Sequence, residues 1–188
     1  EGATVSIDRS WISASRATGR GGALFVRGTT LVSRSTISGN HAAGGGAAFV
    51  APFASLSIDD STISRNVAVR GGGVRGMGDV DFFSSTIAEN RAESGGAVLL
   101  ATASGSSASN SVFGRNTASL RGPLCVGPIS SQGRNVADSR GCGLTATSDI
   151  TGVDARLSRL RQNGGPTPTH AISAKSPALG LGAGCNRI

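Results

Sequence analysis

The sequence predicts an all-β protein: a right-handed parallel β-helix with three strands per coil and about five coils of 24–26 residues, followed by an irregular C-terminal cap. Serines recur at positions 10, 35, 61, 85 and 111, with gaps of 25, 26, 24 and 26 residues, and a fixed period of this size is typical of repeat architectures. Each repeat contains three short runs of strand-forming residues, bounded by Gly, Asn or Ser. No window has an apolar stripe at helical spacing that is long enough to connect two parallel strands.

Two columns of equivalent residues follow each of these serines. The apolar column is Ile12, Ile37, Ile63, Ile87 and Phe113, and the asparagine column is Asn40, Asn66, Asn90 and Asn116. In a β-helix, the apolar column stacks inside at the strand spacing of ~4.8 Å. The asparagines are expected to form a side-chain ladder at a corner, because Asn tolerates a left-handed backbone and can bond along the stack. Both columns are therefore interpreted as structural.

The third strand of each repeat is apolar on both of its faces. We assign the alternating residues that begin at Ala23 and Ala47 to the inside, which leaves a second apolar set outside. The outward set, and hence the candidate contact surface for a partner, is Leu24, Val26, Ala48, Val50, Val98 and Leu100. Since a sheet that is apolar on both faces is usually covered on both, we expect the C-terminal tail or a partner protein to lie over it.

The repeats and the C-terminal part differ in pattern. Residues 1–133 hold the repeats, whereas 134–188 lose the period and are expected to cap the solenoid by packing on the last coils. The first coil has no such cap, so we expect its edge to be open or covered by a partner; a helix over residues 3–12 would contradict this. The chain begins directly in a strand-like run, so a leader is expected upstream or already removed.

Composition limits the classes of function. The net charge of +7 comes from 18 Lys and Arg residues against 11 acids, which suits either an anionic partner or a solvated surface with no binding role. No run of like charges appears, which favours the second reading and gives no indication of nucleic-acid binding. The cysteines, Cys125, Cys142 and Cys185, are too few for a disulfide scaffold and have no ligand-spaced His partners, so neither zinc nor another cofactor is expected.

The C-terminal part resembles a known family. The segments that carry the resemblance are Ser130-Ser131-Gln132-Gly133-Arg134-Asn135-Val136, Gly141-Cys142-Gly143-Leu144, Asn163-Gly164-Gly165-Pro166-Thr167-Pro168-Thr169-His170-Ala171 and Ser176-Pro177-Ala178. They look like the end of bacterial parallel β-helix proteins of the choice-of-anchor type, akin to pectate-lyase-like and polymorphic-outer-membrane-protein-like repeats. The resemblance implies export and life at a cell surface. It also implies a Cys125–Cys142 disulfide, worth ~3 kcal/mol for a loop of that size, with Cys185 left over.

Candidates for catalysis and metal binding are weak. Enzymes on this fold commonly cleave acidic polysaccharides with clustered carboxylates, but Asp8 and Asp59 are two coils apart, ~10 Å. Asp79 and Asp81 could reach one calcium ion on a turn, although a spacing of two residues alone is weak. His41 is interpreted as an exposed corner residue and His170 as a brace for a turn. We therefore expect no catalytic residue.

Two surface features could bind ligands. Arg65, Arg91 and Arg115 flank the asparagine corner in successive coils and could form a basic stripe for an anionic glycan, or simply a solvated edge. Separately, Thr36, Thr62 and Thr86 are expected to project outward, as in the flat hydroxyl arrays of ice-binding solenoids. Trp11 and Val112 interrupt that column.

These observations predict a non-catalytic, exported structural or interaction module of a bacterial surface protein or assembly. It would bind another protein chain through its solenoid faces or open end, with an acidic glycan or lipopolysaccharide as a further possible partner and no membrane span. The alternative is a pectate-lyase-like protein that binds or cleaves an acidic polysaccharide. A groove with three acids, or with an Arg and a cation, would favour that alternative.

Overall fold

The computed structural model of the protein describes residues 3–101 and 105–182. These residues form a parallel β-solenoid of about five turns and contain no helix. The strands are β1 (Thr4–Asp8), β2 (Trp11–Ser13), β3 (Leu24–Val26), β4 (Thr29–Ser33), β5 (Thr36–Ser38), β6 (His41–Gly44), β7 (Ala48–Val50), β8 (Ser55–Asp59), β9 (Thr62–Ser64), β10 (Val67–Arg70), β11 (Val74–Gly76), β12 (Asp79–Phe83), β13 (Thr86–Ala88), β14 (Arg91–Ser94), β15 (Val98–Leu100), β16 (Ser107–Ser109), β17 (Val112–Gly114), β18 (Thr117–Arg121), β19 (Cys125–Val126), β20 (Ser130–Ser131), β21 (Val136–Ala137) and β22 (Ile150–Thr151).

Each strand pairs in parallel with its equivalents in the neighbouring turns, which produces four sheets. In the order in which the chain visits them, sheet 1 is β1-β4-β8-β12-β16-β20, sheet 2 is β2-β5-β9-β13-β17-β21-β22, sheet 3 is β6-β10-β14-β18, and sheet 4 is β3-β7-β11-β15-β19. The parallel β-helix predicted from the repeats is confirmed. Stacking continues past residue 133, because β21 pairs with β17 and β22 pairs with β21, so both strands extend sheet 2.

A full turn contains four strands, not the three predicted from the sequence. The additional strands are those of sheet 3, which follow directly after the asparagine column. β10 (VAVR) and β18 (TASLR) contain β-branched residues, but β6 (HAAG) and β14 (RAES) lack the ones by which the other strands were recognised. Pairing with neighbouring turns, not local propensity, holds them extended.

The core is a stack of equivalent apolar side chains from sheets 1, 2 and 4. Ile37, Ile63, Ile87 and Phe113 are at most 1% exposed and lie in register along sheet 2. Ile12, in the first turn, is only partly buried but packs against the same cluster. Val32, Ile58 and Phe82 contribute an equivalent buried column from sheet 1.

The asparagines form a continuous buried ladder. Asn40, Asn66 and Asn90 each donate from Nδ2 to the Oδ1 of the asparagine in the next turn, at 3.0 Å in every case, and the ladder ends at Asn116. Each Oδ1 also accepts a backbone N–H from the preceding turn, as from Asn40 to Asn66 at 3.0 Å. The ladder therefore satisfies both backbone and side-chain groups that the tight corner removes from water.

The backbone conformation of this corner differs from the expectation. The left-handed residue is the one before each asparagine: Gly39, Arg65, Glu89 and Arg115 have φ between 54° and 67°. The prediction that the asparagine itself is left-handed was wrong. The asparagine is selected by its hydrogen bonds along the stack, since an amide can donate to one turn and accept from another.

In sheet 4, the side chains that face the core are those that were predicted to face outward. Val26, Ala48, Val50, Val98 and Leu100 are at most 4% exposed and belong to the core cluster, and Leu24 packs against it. These six candidates for partner contact are therefore interior residues, and their assignment to the surface was wrong. The third turn has a run of three glycines (71–73), and register pairs Val74 with Ala48, not with Ala47.

The C-terminal segment lies along the outer face of sheet 2 as well as on the last turns. Leu157 and Ala155 pack with Ala88 and Val136 in a second apolar cluster. Further along the solenoid, Thr36 Oγ1 donates to Pro168 O at 2.6 Å. Thr36 is fully buried and Thr62 is 4% exposed, so the hydroxyl array considered for the surface is covered by this segment.

The disulfide implied by the family resemblance is present between Cys125 and Cys142, which are separated by 17 positions in sequence. It joins β19 to the segment that follows β21. Cys185 lies outside the described residues. Within them, no helix is long and apolar enough to span a membrane.

Candidate functional site

The carboxylates on the outer face of sheet 1 are engaged in hydrogen bonds to the next turn. Asp79 Oδ1 accepts the N–H of Gly105 at 2.6 Å, and Asp81 Oδ1 accepts both the N–H and the hydroxyl of Ser107 at 3.0 and 2.6 Å. Among the described residues, no group of three or more His, Cys, Asp or Glu side chains could hold a metal ion. Both carboxylates of the weak calcium candidate, Asp79 and Asp81, therefore have a structural role.

The other two acids of this face have different surroundings. Asp8 and Asp59 share a column with Ser33 between them. The hydrogen bond from Arg34, at 2.8 Å, lowers the pKa of Asp8, together with the hydroxyl of Ser33. Burial raises the pKa of Asp59, opposed by the hydrogen bond from Ser57. The two acids do not converge on one point.

His170 is buried between the C-terminal segment and sheet 2. Its Nδ1 lies 2.7 Å from the carbonyl of Ser158, which requires a proton on Nδ1, so Nε2 accepts the hydroxyl of Ser64 at 2.9 Å. A serine paired with an imidazole resembles the start of a nucleophilic site, but Ser64 is fully buried and no substrate can reach it. The pair fastens the C-terminal segment to the solenoid. His41, the other histidine, is half-buried in β6.

The three arginines of the predicted basic stripe do not form one surface. Arg65 Nε donates to Glu89 at 2.8 Å and Arg115 donates to the same carboxylate at 3.1 Å, so both cations are paired with a single negative charge. Burial opposes ionisation of Glu89, but the Arg65 hydrogen bond and the charges of His170, Arg65 and Arg115 outweigh it and lower the pKa of Glu89. Arg91 begins β14 in sheet 3 and takes part in neither of these ion pairs.

A different group of arginines gathers on the outer face of sheet 4. The outward column of this sheet is Phe25, Phe49, Arg75, Leu99 and Val126. The guanidinium carbon of Arg20 lies 4.9 Å from the ring centre of Phe49, and the guanidinium carbon of Arg75 lies 5.6 Å from the same ring centre. Arg27 stacks on Phe25 at 4.8 Å. All three distances suit cation–π interactions.

A second column brings more positive charge to the same corner. At the end of sheet 3, register aligns Arg20, Gly44, Arg70, Ser94 and Arg121. Gly44 leaves the room that Arg75 occupies, since a Cβ on Gly44 would lie only 3.1 Å from Arg75 Nη1. We call Arg20, Phe25, Arg27, Phe49, Arg70 and Arg75 the arginine–phenylalanine surface.

No carboxylate of the described residues forms an ion pair with this surface. None of the ion pairs within residues 3–101 and 105–182 involves Arg20, Arg27, Arg70 or Arg75. Burial lowers the pKa of Arg75, and the charges of Arg70 and Arg20 lower it further. The Nε of Arg75 is buried without a hydrogen-bond partner. Like charges held together without a counter-ion are a favourable place for an anionic group to bind.

A cleft lies beside Trp11, between the first turns and the C-terminal segment. Its volume is about 410 Å³, and Arg65, Arg161 and Gln162 contribute polar groups to its lining. Trp11 is 56% exposed, and its Nε1 donates to Ser38 at 2.8 Å, which fixes the orientation of the indole.

Sequence reasoning missed the arginine–phenylalanine surface, although one signal was available. Arg20, Arg70 and Arg121 each stand directly before the first glycine of a corner. That glycine has φ of 67° to 68° in all three turns, so the arginines occupy equivalent positions. The position of Arg75 could not be read in this way, because it depends on the register of sheet 4.

Comparisons with protein-family models, with curated proteins and with solved structures found no match for this chain.

Proposed function

We propose that this chain is a non-catalytic interaction module, exported and placed at a bacterial surface, that holds an anionic partner on its arginine–phenylalanine surface. The observation that carries the proposal is the group of four arginines without a carboxylate partner around Phe25 and Phe49. Guanidinium groups stacked on aromatic rings are already oriented and partly desolvated, so an incoming carboxylate or phosphate gains two parallel hydrogen bonds.

The structural use of the other polar groups supports a binding role without catalysis. The sheet 1 carboxylates are occupied by backbone and hydroxyl donors, and the Ser64–His170 pair is buried. The disulfide between Cys125 and Cys142 is consistent with an oxidising compartment, which supports export. The choice-of-anchor type of β-helix protein, which the C-terminal segments resemble, is the class in which we place the chain.

The proposal is tested by binding of two soluble polyanions, poly-L-glutamate and polygalacturonate, to the purified chain. We expect salt-sensitive binding that the double variant Arg20→Gln/Arg75→Gln weakens about tenfold or more. Arg156→Gln/Arg159→Gln, at two exposed positions of the C-terminal segment, is the charge-matched control and should bind as the wild type does. Equal binding by the double variant and the control would overturn the proposal.

Polysaccharide binding or cleavage, the second candidate, is favoured by the Trp11 cleft. Its volume of about 410 Å³ lies within the usual range for ligand sites, and an exposed indole beside Arg161 suits a sugar ring that bears a carboxylate. Trp11→Ala should then weaken the binding of galacturonate oligomers and leave the binding of poly-L-glutamate unchanged. If both probes respond equally to Trp11→Ala, or neither does, this second candidate fails.

A further inference from the structure

Three large apolar side chains are exposed next to the arginine–phenylalanine surface. Phe25 is 45% exposed, Met77 is 42% exposed, and the Phe53 side chain is fully exposed at 105%. The repeats need none of them at the surface, since the core is already filled by other phenylalanines, namely Phe82 and Phe113.

These side chains share one corner of the solenoid, where sheet 4 passes into sheet 1. Ala51 N–H donates to Val26 O and Met77 N–H donates to Val50 O, both at 2.9 Å, so positions 27, 51 and 77 stack in successive turns. Phe53 projects from the turn at this corner in the second coil, with φ of 65°. Arg27 begins the stack, beside Phe25.

We propose that this corner, made of Phe25, Arg27, Phe53 and Met77 and continued by Arg20 and Arg75, docks on an anionic lipid surface. This inference rests on the proposed function and names its partner. A soluble polyanion would account for the arginines but not for an apolar side chain that projects fully into solvent from a turn. A bilayer accounts for both, because its headgroups attract cations and its acyl boundary accepts aromatic and thioether groups.

The arrangement suits shallow, reversible attachment. The stack of three turns is ~10 Å long, which matches a line of contact, not a span of the membrane. Apolar groups on interfacial proteins enter only about 5–10 Å into the boundary between headgroups and acyl chains, a depth that a single Phe on a turn can reach. The described part of the C-terminal segment, up to residue 182, covers sheet 2, on the other side of the turn from sheet 4, and does not cover this corner.

Co-sedimentation with vesicles tests the inference. Vesicles of phosphatidylcholine with phosphatidylglycerol are compared with vesicles of phosphatidylcholine alone. The wild type should bind only the anionic vesicles. Phe53→Ser should weaken that binding about tenfold, because it removes one large apolar group from the boundary, and Arg27→Gln about fivefold, since each surface cation contributes on that scale.

Two matched controls separate this corner from the rest of the molecule. Leu179→Ser removes a side chain that is 59% exposed on the C-terminal segment, and Arg159→Gln removes a charge there. Both should bind vesicles as the wild type does. Phe53 is fully exposed, so its replacement is expected to leave the unfolding temperature unchanged, which is checked in parallel.

The outcomes also separate this inference from the proposed function. Binding to poly-L-glutamate that depends on Arg20 and Arg75, without binding to anionic vesicles, identifies an acidic protein as the partner class and overturns the lipid inference alone. Vesicle binding that is insensitive to Phe53→Ser overturns it as well. If the chain binds neither poly-L-glutamate nor anionic vesicles, both proposals are overturned.

Discussion

The imidazole of His170 accepts the hydroxyl of Ser64 at 2.9 Å, across 106 positions of sequence. The same ring donates to the carbonyl of Ser158, so one neutral side chain joins the C-terminal segment to itself and to sheet 2. The outer face of sheet 2 is therefore a buried interface, and its threonines and serines serve that interface.

This arrangement predicts a loss of stability in mild acid. Burial lowers the pKa of His170, reinforced by Arg65 and Arg115 and opposed by the Ser158 carbonyl and Glu89. The unfolded chain, with a pKa of about 6.5, then binds a proton before the folded one does. The stabilisation is present above about pH 6.5 and is lost as the pH falls through the lower, folded pKa.

Thermal unfolding followed by circular dichroism at about pH 7.5 and about pH 5.5 measures this loss. His170→Gln should reduce the difference between the unfolding temperatures at these two pH values. His41→Gln, which replaces the other histidine, should leave it as in the wild type. An identical pH dependence in the wild type and His170→Gln would show that the contact does not control acid stability.

The asparagine ladder predicts a position-dependent loss of stability. Asn66 accepts two hydrogen bonds from Asn40 and donates to Ile37 O and to Asn90, whereas Asn116, at the end, accepts two and donates to Ile87 O. Asn66→Ala should lower the free energy of unfolding by about 3–5 kcal/mol, and Asn116→Ala by less. Urea denaturation measures both. Equal losses at the two positions would contradict a ladder whose members support one another.

The glycine corner predicts a steric effect at one position and none at another. A Cβ on Gly46 would lie 2.2 Å from Gly72 O and 2.8 Å from Val67 N, and neither backbone group can move without breaking the turn. Gly46→Ala should cost about 3 kcal/mol or more. Gly19→Ala, with nothing within 4 Å of the added carbon, should change stability by less than about 0.5 kcal/mol. Similar unfolding midpoints for the two variants in urea would refute the close approach of the turns.

The disulfide predicts a measurable stabilisation of the last turns. Cys125 and Cys142 close a loop of 17 positions, so their replacement by serine should reduce the free energy of unfolding by ~3 kcal/mol. Reduction of the wild type with dithiothreitol should give a similar loss. A wild type whose urea midpoint does not respond to the reductant would contradict the prediction.

The repeat pattern was sufficient to predict the solenoid, because side chains at one position stack on their own equivalents. The serine spacing located the turns, and the register of Ile37 with Ile63 follows directly from it. Sheet 3 was missed because two of its strands, β6 and β14, have no strand-forming composition of their own, so no pattern recurs from turn to turn. The inward and outward side chains of sheet 4 were interchanged in the prediction because both faces of the sheet are apolar. In addition, the three glycines at 71–73 shift the alignment by one residue, so that Val74 pairs with Ala48.

The candidate site depends on contacts that no pattern in the sequence records. Arg75 reaches Phe49 because Gly44, in the turn before, lacks a side chain, and that relation appears only once the register is known. Likewise, the segment that covers sheet 2 is placed by Thr36 and Ser64, whose partners are more than one hundred positions away and follow no period.

The most direct test of the account is the substitution Arg75→Met, examined for stability and binding together. We propose that Arg75 is kept for a partner, because no described residue forms a hydrogen bond with its buried Nε and the charges of Arg20 and Arg70 repel it. Arg75→Met should therefore raise the free energy of unfolding, by about 0.5–1 kcal/mol. It should also weaken binding to poly-L-glutamate and to anionic vesicles by about tenfold. A variant that is less stable than the wild type, and that binds each probe as tightly as the wild type does, would assign Arg75 a purely structural role and contradict this proposal.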